Sequence, residues 1–526
     1  MLRTQLYRWW MPTILFCLVA RPASAQSFRV QCPAKTTLHP ALPATAVDPL
    51  SGDPLYTGPS VTGQSSTPVP GVVNGAVKCQ QISGGDGYAT MADGTQTYMF
   101  SFGPLSGMDS IKNGQPGTQL PVDFNAAYNG STLPNGLTNP VFNLAQPQNT
   151  NGAVTDPTTM MNVGVLNGNI PAPLMAFDED DEFFLTLTNV GMIMRPDLFE
   201  QHTVHFHGYP NASSFYDGVP DASVAINIGG SFTYYYLAPD AGTYFWHCHV
   251  TPPEHLQMGM VGQLYVRPRQ NRLPSGHSLW ASLAGGSGLF GADTTGQQSD
   301  LRTACLDSDI LCATPIPAKN THSQGEGGYT KYAYNDGDGS TRYDFELPIQ
   351  IHGFDPNFHF VGMTFNPEGF ADMKDKYFLL NGRSYPDTVN AGPQSTAASD
   401  ANPRPSQPMS SAITLSKSPA SATKPGPRAL LRISDLDVSE FQTLASLGIP
   451  MQVIANNARL LRDSAGNNLY YYTNSITLGG GESIDVILDA TTVPVGTYFL
   501  FTPQLDHLSN DAENFGGLMT EINVIP

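Results

Sequence analysis

The sequence predicts an all-β protein made of two tandem Greek-key β-sandwiches with long irregular insertions, and three observations carry that prediction. Short runs rich in β-branched and aromatic residues recur between turn residues, the pattern of sandwich strands. Charged residues make up only 13% of the chain while Gly (51) and Pro (44) abound, which favours turns and connections over helices. The second half also repeats the first: Gly242-Thr243-Tyr244-Phe245 returns letter for letter as Gly496-Thr497-Tyr498-Phe499, and Leu166-Asn167-Gly168 returns as Leu380-Asn381-Gly382. At 526 residues the chain exceeds one ordinary core.

Residues 1–25 read as a signal peptide: Arg3 and Arg8 precede an apolar run from Met11 to Ala20, and Ala23-Ser24-Ala25 offers a small-residue cleavage site. Export to the periplasm or the cell exterior is therefore expected. Cleavage removes Arg3, Arg8 and Arg21 and no acid, taking the formal charge from −19 to −22. Such a chain repels nucleic acid and anionic membranes and attracts cations. Cys32, Cys79, Cys305 and Cys312 fit an oxidising compartment, paired as Cys32–Cys79 and Cys305–Cys312.

Residues 26–90, rich in Pro, Gly, Ser and Thr, read as an extension draped over the first sandwich. The first sandwich is expected over 91–268, with a first strand at Thr97–Phe102 and an insertion over 103–158. Further β-rich runs follow at Val163–Gly168, Phe183–Thr188, His202–Gly208, Ser231–Leu237, Thr243–His249 and Gly262–Val266. A Gly/Ser/Asp-rich connection fills 269–340, and the second sandwich takes 341–526, interrupted by a Ser/Pro/Ala-rich mobile loop over 388–428.

Half of the 12 histidines fall between His202 and His255, together with Cys248, the only cysteine flanked by histidines on both sides. A thiolate, two imidazoles and a weak axial thioether form the trigonal arrangement of blue-copper sites, here Cys248, His202, His255 and Met260. His205/His207 and His247/His249 are alternating pairs, so on strands each pair presents two imidazoles to one face, away from Cys248. An inert core gains nothing from this crowding of imidazoles.

The His202-Thr203-Val204-His205-Phe206-His207-Gly208 and His247-Cys248-His249…His255…Met260 motifs resemble those of multicopper oxidases, the family of laccases and ferroxidases. The resemblance implies cupredoxin domains, copper as cofactor, and His202, Cys248, His255 and Met260 as type 1 ligands. It assigns His205 to type 2 copper and His207, His247 and His249 to the type 3 pair. One departure is visible: His255 follows Cys248 by seven positions, where the laccase pattern has five. Asp217 matches a family acid that helps protons reach the oxygen-reducing cluster. Glu254, beside His255, is a candidate to orient that imidazole or guide a donor, against the blander reading of rim solvation.

Laid on the first half, the second places Ile449, Gln452 and Ile454 opposite His202, His205 and His207, and Phe501, Thr502 and Pro503 opposite His247, Cys248 and His249. A full family cluster takes eight histidines from two facing domains, whereas this chain has one such set of four. His352 and His359 are candidates to lend an imidazole, and two first domains from separate chains in a homo-oligomer would pool two sets. The expected function is one-electron oxidation of a phenolic or metal-ion donor coupled to dioxygen reduction. The alternatives are a copper nitrite reductase, against which His205 stands where that family places an aspartate, and a non-enzymatic blue-copper carrier.

Overall fold

The computed structural model describes residues 29–36, 76–131, 138–271 and 331–526 apart from short gaps, the longest being 363–368 and 396–403. The signal segment, the Cys305–Cys312 pairing and most of the 269–340 connection lie outside the described residues.

The first sandwich uses β1 (Val77–Thr90), β2 (Gln96–Pro104), β3 (Met175–Asp178), β4 (Glu182–Gly191), β5 (His205–Phe206), β6 (Ser231–Leu237), β7 (Gly242–His247) and β8 (Val261–Arg267). They form two sheets ordered β2-β1-β4-β6 and β3-β8-β7-β5. Inward residues from both sheets, among them Phe100, Phe102, Leu185, Leu187, Phe232 and Trp246, make one core. Strand β1 corrects the reading of 26–90 as a draped extension. It is the sheet's longest strand, antiparallel to β2 and parallel to β4. Its Gly-rich sequence hid it, and one of those glycines is needed: a Cβ on Gly84 would lie 2.7 Å from the His202 ring. Cys32 does bond Cys79 at the start of this strand.

The second sandwich uses β9 (Phe345–Phe354), β10 (Tyr377–Leu380), β11 (Ile413–Ser416), β12 (Arg428–Asp435), β13 (Gln442–Ser446), β14 (Met451–Asn456), β15 (Ser475–Leu478), β16 (Ser483–Asp489), β17 (Gly496–Phe501) and β18 (Met519–Ile525). One sheet runs β10-β9-β12-β16-β14 and the other β11-β18-β17-β13-β15. The chain therefore builds the same frame twice, with β1 and β9 each parallel to the third strand after it. Strand β11 and the short pair Gln394–Ser395 with Pro405–Gln407 sit inside 388–428, correcting its reading as one mobile loop.

A buried ion cluster clamps the sandwiches together. Glu346 on β9 binds Arg267 of β8 (2.6 Å) and Arg432 of β12 (2.8 Å). Thr243 of β7 donates to Asp485 of β16 (2.6 Å), and Gln263 of β8 donates to Ser434 of β12 (2.7 Å).

Candidate metal centres

Strand β5 pairs with β7 so that His205 lies opposite His247. The period of two does the rest: Phe206 and Trp246 turn into the core while the histidines turn out of it. Just past β7 the chain turns Cys248 inward, fully buried. The loop then forms the helix Pro252–Gln257, which absorbs the extra residues between Cys248 and His255. Backbone bonds close it, Met260 N–H to His255 O (2.8 Å) and Cys248 N–H to Met260 O (3.0 Å).

His202, Cys248 and His255 bring their donor atoms within 4.8 Å of one another, all buried. The Nδ1 atoms of His255 and His202 stand 3.2 and 4.0 Å from the Cys248 sulfur, which also accepts the Thr203 N–H (3.4 Å). Burial alone pushes the Cys248 thiol up, but the His255 charge and the hydrogen bonds from both imidazoles outweigh it and hold the thiol well below its ordinary range. Burial depresses His255, yet the Cys248 charge raises it to about 9. Met260 is fully buried in the same core.

The second group is His205, His207 and His247, again with donor atoms within 4.8 Å. His249 joins them, its ring 5.0 Å from that of His205 and 5.4 Å from that of His247. His207 Nε2 and His247 Nε2 face each other at 2.9 Å. Burial, and then the neighbouring His205 and His249, push His207 down to about 4. Burial likewise holds His247 well below the usual imidazole range. Neutral imidazoles with convergent lone pairs are what a metal cation requires. The Nδ1 of His205 bonds the Asp217 carbonyl (2.6 Å), and the Asp217 carboxylate is 3.6 Å away, which fixes the ring and leaves Nε2 for the cluster.

This cluster opens into a cavity of about 490 Å³ between the sandwiches. One wall is His207, His247 and His249; the other is Asp437, Ser439, Glu440 and Gly479–Gly481 of the second sandwich. The chain's own second half thus lines the side of the cavity opposite the His face. His352 and His359 do not reach it: His352 bonds the Leu256 carbonyl (2.9 Å) and His359 the Gln257 carbonyl (2.9 Å). Both are buried, one in β9 and one in the helix Pro356–Gly362.

The sheet register also corrects the alignment of the two halves. Ala445 pairs with Phe501 as His205 pairs with His247. Counting from that pair sets Gln442, Ala445 and Leu447, not Ile449, Gln452 and Ile454, opposite His202, His205 and His207. None of these three counterparts is a histidine. The frame of the first centre nevertheless survives around Gln442, Thr502, His507 and Leu518: Thr502 N–H bonds Leu518 O (3.0 Å) and Leu518 N–H bonds His507 O (3.0 Å). His507 Nδ1 contacts Gln442 (2.9 Å) and its Nε2 contacts Glu440 (3.0 Å). The same register marks a residue the sequence reading missed. Glu200, the counterpart of Glu440, lies 3.7 Å from His255 Nε2, the position considered for Glu254. The signal was present in the repeat, since each glutamate precedes its His202 or Gln442 by two.

Residues 148–271 match the family model of the multicopper oxidases. That stretch of the first sandwich is similar to a multicopper oxidase domain. A segment of the chain is 35% identical over 108 residues to multicopper oxidase MCE of Talaromyces pinophilus, covering 20% of this chain and 16% of that protein. Laccase-1 of Emericella nidulans is 35% identical over 113 residues, 20% of this chain and 16% of its own length. The matched segment therefore spans less than a fifth of these curated relatives. Among solved structures, the blue copper oxidase from Nitrosomonas europaea aligns over 85% of both chains at 17% identity, with a TM-score of 0.46. Copper is the metal of the multicopper oxidase domain, and the buried thiolate with two Nδ1 donors fits it, since soft sulfur and imidazole favour copper.

Proposed function

We propose that this protein is a copper-dependent oxidoreductase that takes electrons singly from a phenolic or metal-ion donor and passes them to dioxygen. The observation that carries the reading is the junction at Cys248. This one residue belongs to the buried Cys/His group, and its chain neighbours His247 and His249 belong to the cavity group, so a few covalent bonds join two donor sets. His202, Cys248, His255 and Met260 would hold the electron-accepting copper. His205, His207, His247 and His249 would hold copper at the cavity. Copper bound there supplies one-electron redox chemistry.

The chain's own residues do the rest. The sealed core around Cys248 and Trp246 excludes water from the first group. Glu200, 29% exposed, places a carboxylate beside His255 where a donor would approach, and orients the imidazole. Asp217 holds His205 by its carbonyl and keeps its carboxylate close enough to supply a proton. Four histidines instead of the family's eight support a cavity centre of one or two coppers. Nitrite reduction is the less favoured reading, because His205 stands in place of an acid and His249 would be surplus.

The test is copper-loaded mature protein examined by metal analysis, absorption, paramagnetic resonance and an oxygen electrode with a phenolic or ferrous donor. A blue band with donor-dependent oxygen uptake is expected. A blue band without uptake would leave an electron carrier, and no blue band at all would end the copper reading at Cys248.

A further inference from the structure

Dioxygen becomes two waters only by taking four electrons and four protons, so a site that reduces it needs a proton source within reach. Asp375 and Asp437, 6% and 2% exposed, lie side by side behind the cavity wall formed by the second sandwich. Ser439 bridges them: its hydroxyl contacts an Asp375 oxygen and donates to Asp437 Oδ1 (2.9 Å). Gln257 Nε2 donates to Asp375 Oδ1 (3.0 Å) and Gln442 Nε2 to Asp437 Oδ2 (2.6 Å).

Asp435 on β12 and His352 on β9 interact with Asp437, while Glu440, His207, His247 and His249 line the same cavity as Asp437. His352 is buried and its Nδ1 has no hydrogen-bond partner, nor has Asp435 Oδ2. Two adjacent carboxylates in such surroundings cannot both stay ionised. Burial, and then the Asp437 charge, hold the Asp375 carboxyl well above its ordinary range. Asp437 and Ser439 meanwhile line the cavity that His207, His247 and His249 line from the other side.

We propose that Asp375 and Asp437 share one proton and deliver it, by way of Ser439 and the Asp437 edge, to the oxygen being reduced in the cavity. This rests on the reading of that cavity as the site of reduction. In the step an O–H bond of the pair breaks and an O–H bond to a dioxygen-derived oxygen forms, while the electron comes from the donor. The pair is left with two negative charges side by side, which drives its reprotonation from solvent through Glu440, 42% exposed at the rim.

The variants are Asp375→Asn and Asp437→Asn in the full chain, read in two ways. Infrared titration of the metal-free protein should show a protonated carboxyl band near neutral pH that each variant loses. In the copper-loaded protein, oxygen uptake should fall by roughly 100-fold, the scale of a lost proton donor. The solvent isotope effect should change too, while the blue band and its anaerobic bleaching by donor stay at parental levels. Asp375→Glu should recover part of the uptake. The proposal is overturned if the parent shows no such band, or if both variants lose the band and keep full uptake. A parent with the infrared band but no blue band would instead overturn the copper assignment, since the band is read without metal.

Discussion

Glu346 holds the second sandwich over the histidine face, and Glu346→Gln measures how firmly. The carboxylate sits 2.6 Å from Arg267 Nε and 2.8 Å from Arg432 Nε, and it accepts the Tyr343 hydroxyl at 3.1 Å. Two unit charges about 4 Å apart attract by roughly 4 kcal/mol at an effective dielectric near 20, but desolvating the ions cancels much of this. Removing one partner of a buried pair costs about 3–5 kcal/mol, because the other charge is stranded. Two features place this case at the lower end: Arg432 keeps Asp485 at 4.0 Å, and the Arg267 side chain is 24% exposed and can reach water. We therefore expect a loss of about 3 kcal/mol in denaturant unfolding of the metal-free protein, or roughly 6–12 °C in Tm for a domain of this size. The transitions of the two sandwiches should also separate. Burial alone would raise the Glu346 carboxyl, but Arg267 and Arg432 outweigh it and hold it well below its ordinary value. Its contribution is thus complete above the unfolded value near about 4.3 and is lost as pH falls toward the folded one, so parent and variant should converge in acid. A loss under about 1 kcal/mol at neutral pH, with one unsplit transition, would refute the clamp.

Cys248→Ser should abolish the blue absorption of the copper-loaded protein and leave the paramagnetic signal of cavity copper; a surviving blue band would refute the ligand assignment. Gly481 has φ +89° and a Cβ there would stand 3.2 Å from His207 Nδ1, so Gly481→Val should cut oxygen uptake while sparing the blue band. With His207 held neutral down to about 4, cavity copper should survive dialysis at about pH 5 and leave near about pH 4; release already at neutral pH would contradict the geometry. In the metal-free protein the same depressed value makes stability decline as pH falls from about 6.5 to about 4, because the unfolded chain takes up the proton first. Glu200→Gln should lower the His255 value from about 9, measurable by magnetic resonance of the metal-free protein; no change would place Glu200 outside the site.

Much of the site was legible because its chemistry is local. The His-x-His pairs on paired strands, and a cysteine between two of them, define both faces by period alone. The fold class followed from short β runs and from the repeat. What escaped depends on non-local pairing. Strand β1 carries Gly84, Gly85 and Gly87, so its pattern is weak, and only its partners β2 and β4 make it a strand. Matching the halves by their apolar residues overshoots the true counterpart of β5, because β13 has no histidine to mark the register. Asp375 and Ser439 come from two loops of the second sandwich far apart in sequence, and Ser439 and Glu440 face the histidines only across the cavity between the sandwiches, which no spacing along the chain announces.

The frame around Gln442, Thr502, His507 and Leu518 has the shape of a mould for a metal centre without the side chains to fill it. Gln442→His, Thr502→Cys and Leu518→Met together should create a blue chromophore there in the copper-loaded protein. Phe501 and Pro503, standing where His247 and His249 stand in the other half, would give it no neighbouring imidazoles. Such a centre would charge and have nowhere to discharge, turning the second sandwich into an electron store beside a working wire.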